Sequence, residues 1–265
     1  MRLIRLPFAA LLVVAWWRRG KLTWRSDLQP LMPWLVLGIS SGLFTAWLEV
    51  SAIGAQGAAF QAGLVARVLG AARNCWFYLG KLVWPADLAF FYPRWATDVT
   101  SLGDWLPLAA TVTLLGGLVW WARRQRGPLA TALLFGGTLF PALGFVNVYP
   151  FIFSPVADHF QYLASLGIFA AAAAGLTLLI PSVATVRVGA LLLLGLLATL
   201  TWRQSEHYVD SVTLYRATLA TNTHSWIAHH NLAAELAARN DPVAALPHAQ
   251  RAIELNADFP DAVNT

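Results

Sequence analysis

Charged side chains are scarce in this sequence. Only 12% of its 265 residues are Asp, Glu, Lys or Arg, while 58% are hydrophobic. Because a soluble domain carries about 25% charged residues, this chain has too little charge to cover a soluble globule of its size. The composition therefore argues against an ordinary soluble protein and predicts a polytopic, all-α membrane protein.

Cysteine is nearly absent too, which excludes two kinds of stabilising site. Cys75 is the only cysteine, so the chain can form neither an internal disulfide nor a multi-thiolate metal site. We interpret Cys75 as a buried apolar side chain. Histidine does not compensate, because the adjacent His229 and His230 would point about 100° apart on a helix and no carboxylate stands at a suitable spacing. We therefore expect no divalent metal, and the sequence indicates no other cofactor.

Acidic residues are fewer than basic ones, which gives a formal net charge of +5. The basic residues cluster at the ends of apolar runs, where they orient spans and meet lipid phosphate. A nucleic-acid-binding protein would instead show a basic stripe on a soluble fold. The sequence also lacks a Gly-rich phosphate loop, a nucleophile elbow and an HExxH motif. We predict membrane lipid as a partner, and no nucleic acid.

Two basic loops set the predicted orientation. The first contains Arg18, Arg19, Lys21 and Arg25, and the second contains Arg123, Arg124 and Arg126. Positive loops remain in the cytoplasm, and about six apolar runs can be placed around them as spanning helices. These runs cover residues 3–17, 31–48, 105–121, 128–146, 160–180 and 188–202. By this count the C-terminal region lies outside the cytoplasm. We predict a bacterial inner membrane with this region in the periplasm; in a eukaryote the region would be luminal.

Residues 50–104 must then begin and end on the non-cytoplasmic side of the membrane, although they contain an apolar run. Two alternatives are open: the segment crosses the membrane twice, or it forms interfacial or re-entrant helices. The second is favoured because the span needed at 58–72 is short and contains Arg67. Basic and aromatic side chains are also mixed through this segment in a way suited to the headgroup layer. Pro85 and Pro93 would interrupt a helix here.

The C-terminal region is polar and rich in small residues. We predict a transmembrane region over 1–202, a linker helix over 203–223 and a tetratricopeptide-like helical hairpin over 224–265. The residues expected to pack the hairpin are Leu232, Ala233 and Leu236 in its first helix and Ala245 and Ala252 in its second. One repeat cannot bury its own apolar face, so we expect this hairpin to lean on the linker helix. A repeat of this kind would bind a protein or peptide.

Several strings resemble TMTC-type membrane proteins and their bacterial relatives, in which a GT-C glycosyltransferase-like body precedes tetratricopeptide repeats. The strings are residues 46–49 (AWLE) with 54–57 (GAQG), 76–85 (WFYLGKLVWP), 91–95 (FYPRW) and 157–167 (ADHFQYLASLG). The resemblance implies transfer of a sugar from a polyprenyl-phosphate donor to protein on the non-cytoplasmic side. The family carries its catalytic acidic residues in an early outside loop that this sequence does not match. We therefore expect a piece truncated at both ends and inactive alone, with no assignable catalytic residue.

One group of basic residues is a candidate for donor binding. Its members are Arg67, Arg73, Lys81 and Arg94, which could contact the lipid phosphate. The alternative interpretation of the group is simple anchoring at the interface.

A second group could face a cavity. It consists of Glu49 at the end of an apolar run and the pair Asp158 and His159, for which the resemblance implies this position. The alternatives are a solvated helix end for Glu49 and an N-cap for Asp158.

At the level of the whole chain, the alternative function is a non-catalytic membrane scaffold. A transporter is least favoured, because no predicted span has a central charge and no internal duplication is visible.

Overall fold

The computed structural model describes residues 7–53, 60–180 and 182–256. Throughout these ranges the chain consists of helices, helical turns and loops, without a strand. The predicted all-α class is confirmed for this part of the chain. Two compact units are formed. The first comprises Met1–Trp84, Ala96–Ile152 and Asp158–Leu178, and the second comprises Pro85–Trp95, Phe153–Ala157 and Leu179–Thr265.

The described part of the first unit contains six α-helices. They are α1 (Pro7–Arg19), α2 (Met32–Ser51), α3 (Leu64–Val83), α4 (Leu102–Trp121), α5 (Gly127–Leu139) and α6 (Tyr162–Leu179). Three of them lie in segments long and apolar enough to cross a membrane, and a fourth such segment lies in the second unit. The four are Trp24–Ser51, Leu102–Trp121, Asp158–Leu179 and Val183–Tyr208. The chain is therefore an integral membrane protein.

The other two predicted spans are not among the candidate spans of the described residues. The described helix α1, Pro7–Arg19, has 13 residues, which reach about 20 Å at 1.5 Å per residue, and residues 3–6 of the predicted span lie outside the described ranges. The hydrocarbon core of a bilayer is about 30 Å thick. The apolar helix Gly127–Ala142 is also below the length of the four candidate spans. The predicted count of six spans therefore stays a prediction.

Helix α3 occupies much of the segment whose path the sequence left open. It is one continuous helix of 20 residues, and it is not among the candidate spans of the described chain. Tyr78 is fully buried and Leu69 is 1% exposed, whereas α4 contains no buried residue and α2 contains only Glu49, near its end. Helix α3 thus packs against protein where those spans present their side chains outward. Of the alternative span at 58–72, residues 58–59 lie outside the described residues, 60–63 precede α3, and 64–72 belong to α3.

Helix α3 packs on the first half of α4. The indole N–H of Trp76 lies 3.0 Å from both the carbonyl oxygen of Pro107 and the hydroxyl of Thr111. Pro107 stands inside α4, where its ring removes a backbone donor. The Thr111 hydroxyl also donates to the Pro107 carbonyl, at 2.8 Å. These contacts fix the middle of α3 beside the first half of a candidate span.

The second unit contains the last four helices, which begin at well-defined caps. They are α7 (Val183–Ser205), α8 (Ser211–Thr221), α9 (Trp226–Ala238) and α10 (Pro242–Leu255). The N-cap side chains accept a hydrogen bond from the amide three residues further on, which satisfies one of the unpaired donors at a helix start. These caps are Ser182, Asp210, Ser225 and Asp241. The predicted linker helix over 203–223 is therefore divided: its first residues extend α7, and α8 begins only after Asp210.

Helices α9 and α10 form an antiparallel hairpin. Their turn contains Asn240 in the left-handed conformation, with φ +60. The five side chains predicted to pack the hairpin are all buried, with exposures of 0% for Leu232, Ala233 and Ala252, 5% for Leu236 and 7% for Ala245. Val212 from α8 is buried in the same cluster, with Tyr215 and Leu219 packed against it. The hairpin thus leans on α8, while its assignment as a tetratricopeptide repeat stays a prediction.

Candidate functional site

The structure brings some of the candidate residues together around the loop that follows α5. Glu49, near the end of α2, is only 2% exposed. Its Oε2 accepts a hydrogen bond from the backbone amide of Tyr149 at 2.9 Å. A buried carboxylate is costly unless it is hydrogen-bonded, so the bond to this amide replaces water that burial removes. Glu49 is therefore not a solvated helix end.

Arg67 binds the same loop and the residues just before α3 through all three nitrogens of its guanidinium. Its Nε donates to the carbonyl of Ala62 at 3.0 Å, and its Nη1 donates to those of Gly144 and Phe145 at 2.8 and 3.4 Å. Its Nη2 donates to the carbonyl of Phe60 at 2.7 Å and to Oδ1 of Asn147 at 2.8 Å. A guanidinium has five N–H donors, and five protein acceptors surround this one. A phosphate could bind Arg67 only by displacing these oxygens, so its position favours a structural role.

Aromatic side chains connect this loop to the residues before α6. Phe60 and Phe151 are buried together, with Tyr149 and Phe160 packed against them. The rings of Phe151 and Phe160 meet edge to face at 6.1 Å, and the ring of His159 meets that of Phe160 at 4.6 Å. Asp158 and His159 lie in the short helical turn that precedes α6. His159 therefore shares a neighbourhood with the loop that holds Glu49 and Arg67.

Arg73 and Lys81 lie elsewhere on α3. Arg73 approaches Oδ1 of Asp104 and the carbonyl of Ala96, both at 3.5 Å, and its side chain is 41% exposed. Asp104 stands in the first turn of α4, and its other oxygen accepts from the backbone amide of Asp98 at 2.6 Å. The Lys81 ammonium lies 5.5 Å from the ring centre of Phe77, one turn earlier, which is within cation–π range.

Sequence reasoning missed the role of Asp104. The signal for it was present, because an acidic residue immediately before the apolar run 105–121 can pair with a cation at the same membrane level. The structure shows that the partner of Asp104 is Arg73. Sequence spacing could not identify this pair, because the two residues lie 31 positions apart.

Arg94 belongs to the second unit, so the four basic candidates do not form one shared site within either unit. Burial lowers the pKa of the Arg94 guanidinium from its usual value. Nearby in the chain, the amide of Tyr92 donates to the hydroxyl of Ser154 at 2.9 Å, and Ser154 is buried. The two short segments Pro85–Trp95 and Phe153–Ala157 are thereby joined.

These two segments are also joined to the C-terminal helices. The ring of Phe153 lies between those of Phe91, at 6.0 Å, and Trp226, at 5.5 Å. The side-chain amide of Asn222, just before α9, donates to the carbonyl of Phe91 at 3.3 Å. Gln204 donates to the carbonyl of Leu88 at 3.4 Å. The sequence predicted a hairpin leaning on a helix, and it did not predict that loops from between the spans would pack on the same module.

A histidine pair joins the two helices of the hairpin. Nδ1 of His229 and Nδ1 of His248 lie 3.0 Å apart, and Nε2 of His229 lies 3.3 Å from the carbonyl oxygen of Thr223. Burial lowers the pKa of His229, with smaller lowering effects from nearby cationic groups, and burial also lowers the pKa of His248. A neutral pair can share one proton as a hydrogen bond. Among the described residues, no three His, Cys, Asp or Glu side chains are grouped to hold a metal ion.

Cys75 lies on α3 and is half-buried. Burial raises the pKa of its thiol to about 11. A thiol with a raised pKa is largely protonated at neutral pH and is a poor nucleophile. Cys75 was interpreted as a buried apolar side chain, and its burial in the structure is partial.

Comparison with known proteins adds no functional assignment. No protein-family model matches the sequence, and no curated protein and no solved structure is significantly similar to the chain.

Proposed function

We propose that this chain is part of a GT-C-like glycosyltransferase: its transmembrane region, linker helix and tetratricopeptide-like repeat. The enzyme would bind a polyprenyl-phosphate-linked sugar at the non-cytoplasmic surface of the membrane and transfer the sugar to protein. The observation that carries the lipid-phosphate part is the position of Arg73. Its half-exposed guanidinium lies at the first turn of α4, where a candidate span begins. A lipid phosphate at the membrane surface would meet it at this level, and charge-assisted hydrogen bonds to phosphate are about twice as strong as neutral ones.

Lys81 is the second donor contact in this proposal. It lies two turns along the same helix, and its ammonium lies 5.5 Å from the ring centre of Phe77. A long lysine side chain near the membrane surface keeps its ammonium within reach of the headgroup layer. The side chain of Arg73 is 41% exposed while it contacts Asp104 at 3.5 Å, and a phosphate oxygen would approach its exposed part. Arg67 is left out because its donors already have protein acceptors.

The experiment measures polyprenyl phosphate binding to the purified chain in zwitterionic nanodiscs. We expect Arg73→Gln with Lys81→Gln to weaken binding by about tenfold or more, because two charge-assisted contacts are lost. The matched control is Arg216→Gln with Arg251→Gln, which removes the same charge from the C-terminal helices. Unchanged binding in the first variant, or equal loss in both, would contradict the donor site.

The proposed topology has six spans, cytoplasmic basic loops and a periplasmic tetratricopeptide-like hairpin. Counting spans places residues 85–95, residues 153–157 and the hairpin all outside. The contacts of Phe153 with Phe91 and Trp226, all within the second unit, support a common side for these three parts. A reporter that fluoresces only in the cytoplasm, fused after Thr265, should stay dark, and a fused alkaline phosphatase should be active. A bright reporter would overturn this topology.

A membrane scaffold that binds a protein or peptide is the second candidate function. The observation that favours it is an exposed apolar face on α10, where Val243 is 84% and Leu246 is 58% exposed. A photoreactive amino acid at Leu246 should then crosslink to protein in cells, whereas the same probe at the exposed Arg216 on α8 should not. Absence of crosslinks at Leu246, together with polyprenyl phosphate binding, would favour the transferase over the scaffold.

A further inference from the structure

The two basic loops of the first unit meet each other in space. Gly20 has φ +75, and the space that a Cβ would fill there is taken by the guanidinium of Arg126. Gly127, the residue after Arg126, lies close to Trp17: a side chain at position 127 would place its Cβ 3.5 Å from the indole nitrogen of Trp17. The left-handed backbone favours glycine at position 20, and any larger residue there would also displace the guanidinium of Arg126. The loop after α1 and the loop after α4 form one surface.

This surface, here called the basic cluster, carries a strong excess of positive charge. Its cations are all exposed, and they are Arg18, Arg19, Lys21, Arg25, Arg123, Arg124 and Arg126. The one carboxylate in these two loops is Asp27, which is 7% exposed. Asp27 pairs with Arg19 and accepts from the amide and the hydroxyl of Thr23 at 2.7 and 3.0 Å. The Asp27 carboxylate is thus buried, and it neutralises only Arg19 among the seven cations.

Exposed tryptophans place the basic cluster at the membrane surface. Trp17 and Trp24 are 47% and 60% exposed beside the first loop, and Trp120 and Trp121 are 65% and 45% exposed beside the second. Indole rings accumulate where lipid headgroups meet the acyl chains. The seven cations would meet the phosphate of a phospholipid, and the four indole rings would meet its glycerol and the upper part of its acyl chains.

We infer that the basic cluster binds the headgroup of an anionic phospholipid from the leaflet on its side of the membrane. Lys21, Arg25, Arg123 and Arg124 supply phosphate contacts from two loops, and Arg126 holds the loops together across Gly20. Basic pockets between membrane helices bind lipids of this class, and each Lys or Arg near an anionic surface contributes about 1 kcal/mol. A soluble polyphosphate would use the same cations, but it would leave the four exposed indoles without a partner.

The test titrates the purified full-length chain in neutral detergent with phosphatidylglycerol or phosphatidylcholine and follows lipid adducts by native mass spectrometry. We expect a phosphatidylglycerol preference in the unmodified protein. Arg123→Gln with Arg124→Gln should weaken phosphatidylglycerol binding by roughly ten- to thirtyfold. Lys21→Gln with Arg25→Gln should do the same from the other loop, which guards against a local folding defect in either one. Gly20→Ala should also weaken binding, because the added Cβ displaces Arg126.

The control variant is Arg73→Gln with Lys81→Gln, which removes an equal charge at the separate site proposed for polyprenyl phosphate. It should leave phosphatidylglycerol binding unchanged, so the two proposals can fail independently. Equal affinity for the two lipids would overturn the inference, as would unchanged binding in both basic-cluster variants or equal losses in the control. Displacement of the lipid by millimolar inorganic phosphate would show a phosphate site that does not need a lipid, and it would also overturn it.

Discussion

The carboxylate of Glu49 accepts a hydrogen bond from the backbone amide of Tyr149, although the two residues lie 100 positions apart. Arg67, in the first turn of α3, binds the same loop through Gly144, Phe145 and Asn147. One acidic and one basic side chain, on different helices, thus hold a single loop from its two ends. Since both are satisfied by protein groups, their first contribution is to stability.

Replacing Glu49 should therefore destabilise the fold. Glu49→Ala removes the acceptor of the partly buried hydrogen bond from the Tyr149 amide, and leaving a buried donor unsatisfied costs about 1–3 kcal/mol. Glu49→Gln keeps an acceptor oxygen at nearly the same place and should cost less. The midpoint of thermal unfolding in detergent measures both. Glu254→Ala, at an exposed position on α10, is the control, and an equal effect at both positions would contradict this role.

Arg67 gives a prediction that separates a structural role from phosphate binding. Arg67→Lys keeps the positive charge but replaces five planar donors by three on one nitrogen. We expect a loss of at least about 2 kcal/mol in unfolding free energy, measured by denaturant titration, because several carbonyls lose their donor. The exposed Arg251→Lys should be close to neutral. Full stability in Arg67→Lys, combined with weaker polyprenyl phosphate binding, would return Arg67 to the donor site.

Sequence patterns predicted the local features of this molecule and missed the ones built from distant residues. Composition and apolar runs were enough for the membrane class and for four spans, because a span depends on its own side chains. The hairpin residues Leu232 and Ala252 were identifiable because the tetratricopeptide-like pattern assigns the packing positions on each of its two helices. No spacing rule relates Glu49 to Tyr149 or Arg67 to Gly144. For Arg67, the sequence left both phosphate binding and interfacial anchoring open, because a sequence shows a charge and not its acceptors.

Phe153 should be essential for holding its segment to the C-terminal helices. Its ring contacts both Phe91 and Trp226, and aromatic pairs contribute about 0.5–1.5 kcal/mol each beyond burial. Phe153→Ala removes both contacts, so backbone amides within Pro85–Trp95 should exchange hydrogen faster, by about tenfold. Leu246→Ala, at an exposed site of α10, should leave this exchange unchanged. Slow exchange in Phe153→Ala would mean that the hydrogen bonds of Phe91 and Leu88 suffice.

The histidine pair predicts how the stability of the hairpin depends on pH. His229 can donate from Nε2 to the carbonyl of Thr223 and accept at Nδ1 from Nδ1–H of His248, an arrangement inferred from the two distances. When both rings carry an extra proton, two N–H groups face each other at 3.0 Å. The folded state therefore favours the neutral pair, which agrees with the lowered pKa of each ring.

A lowered folded-state pKa means that the unfolded chain binds more protons, so stability falls as pH falls. The stabilising effect should be complete above the usual histidine pKa of 6.5. It should be lost progressively as the pH falls from 6.5 to the lower pKa of the folded state. The thermal midpoint of the purified chain should drop between pH 7 and 5 by several degrees. His229→Gln with His248→Gln should flatten this part of the profile, whereas His207→Gln, at an exposed position, should not. An unchanged slope in the double variant would place the pH response in other groups.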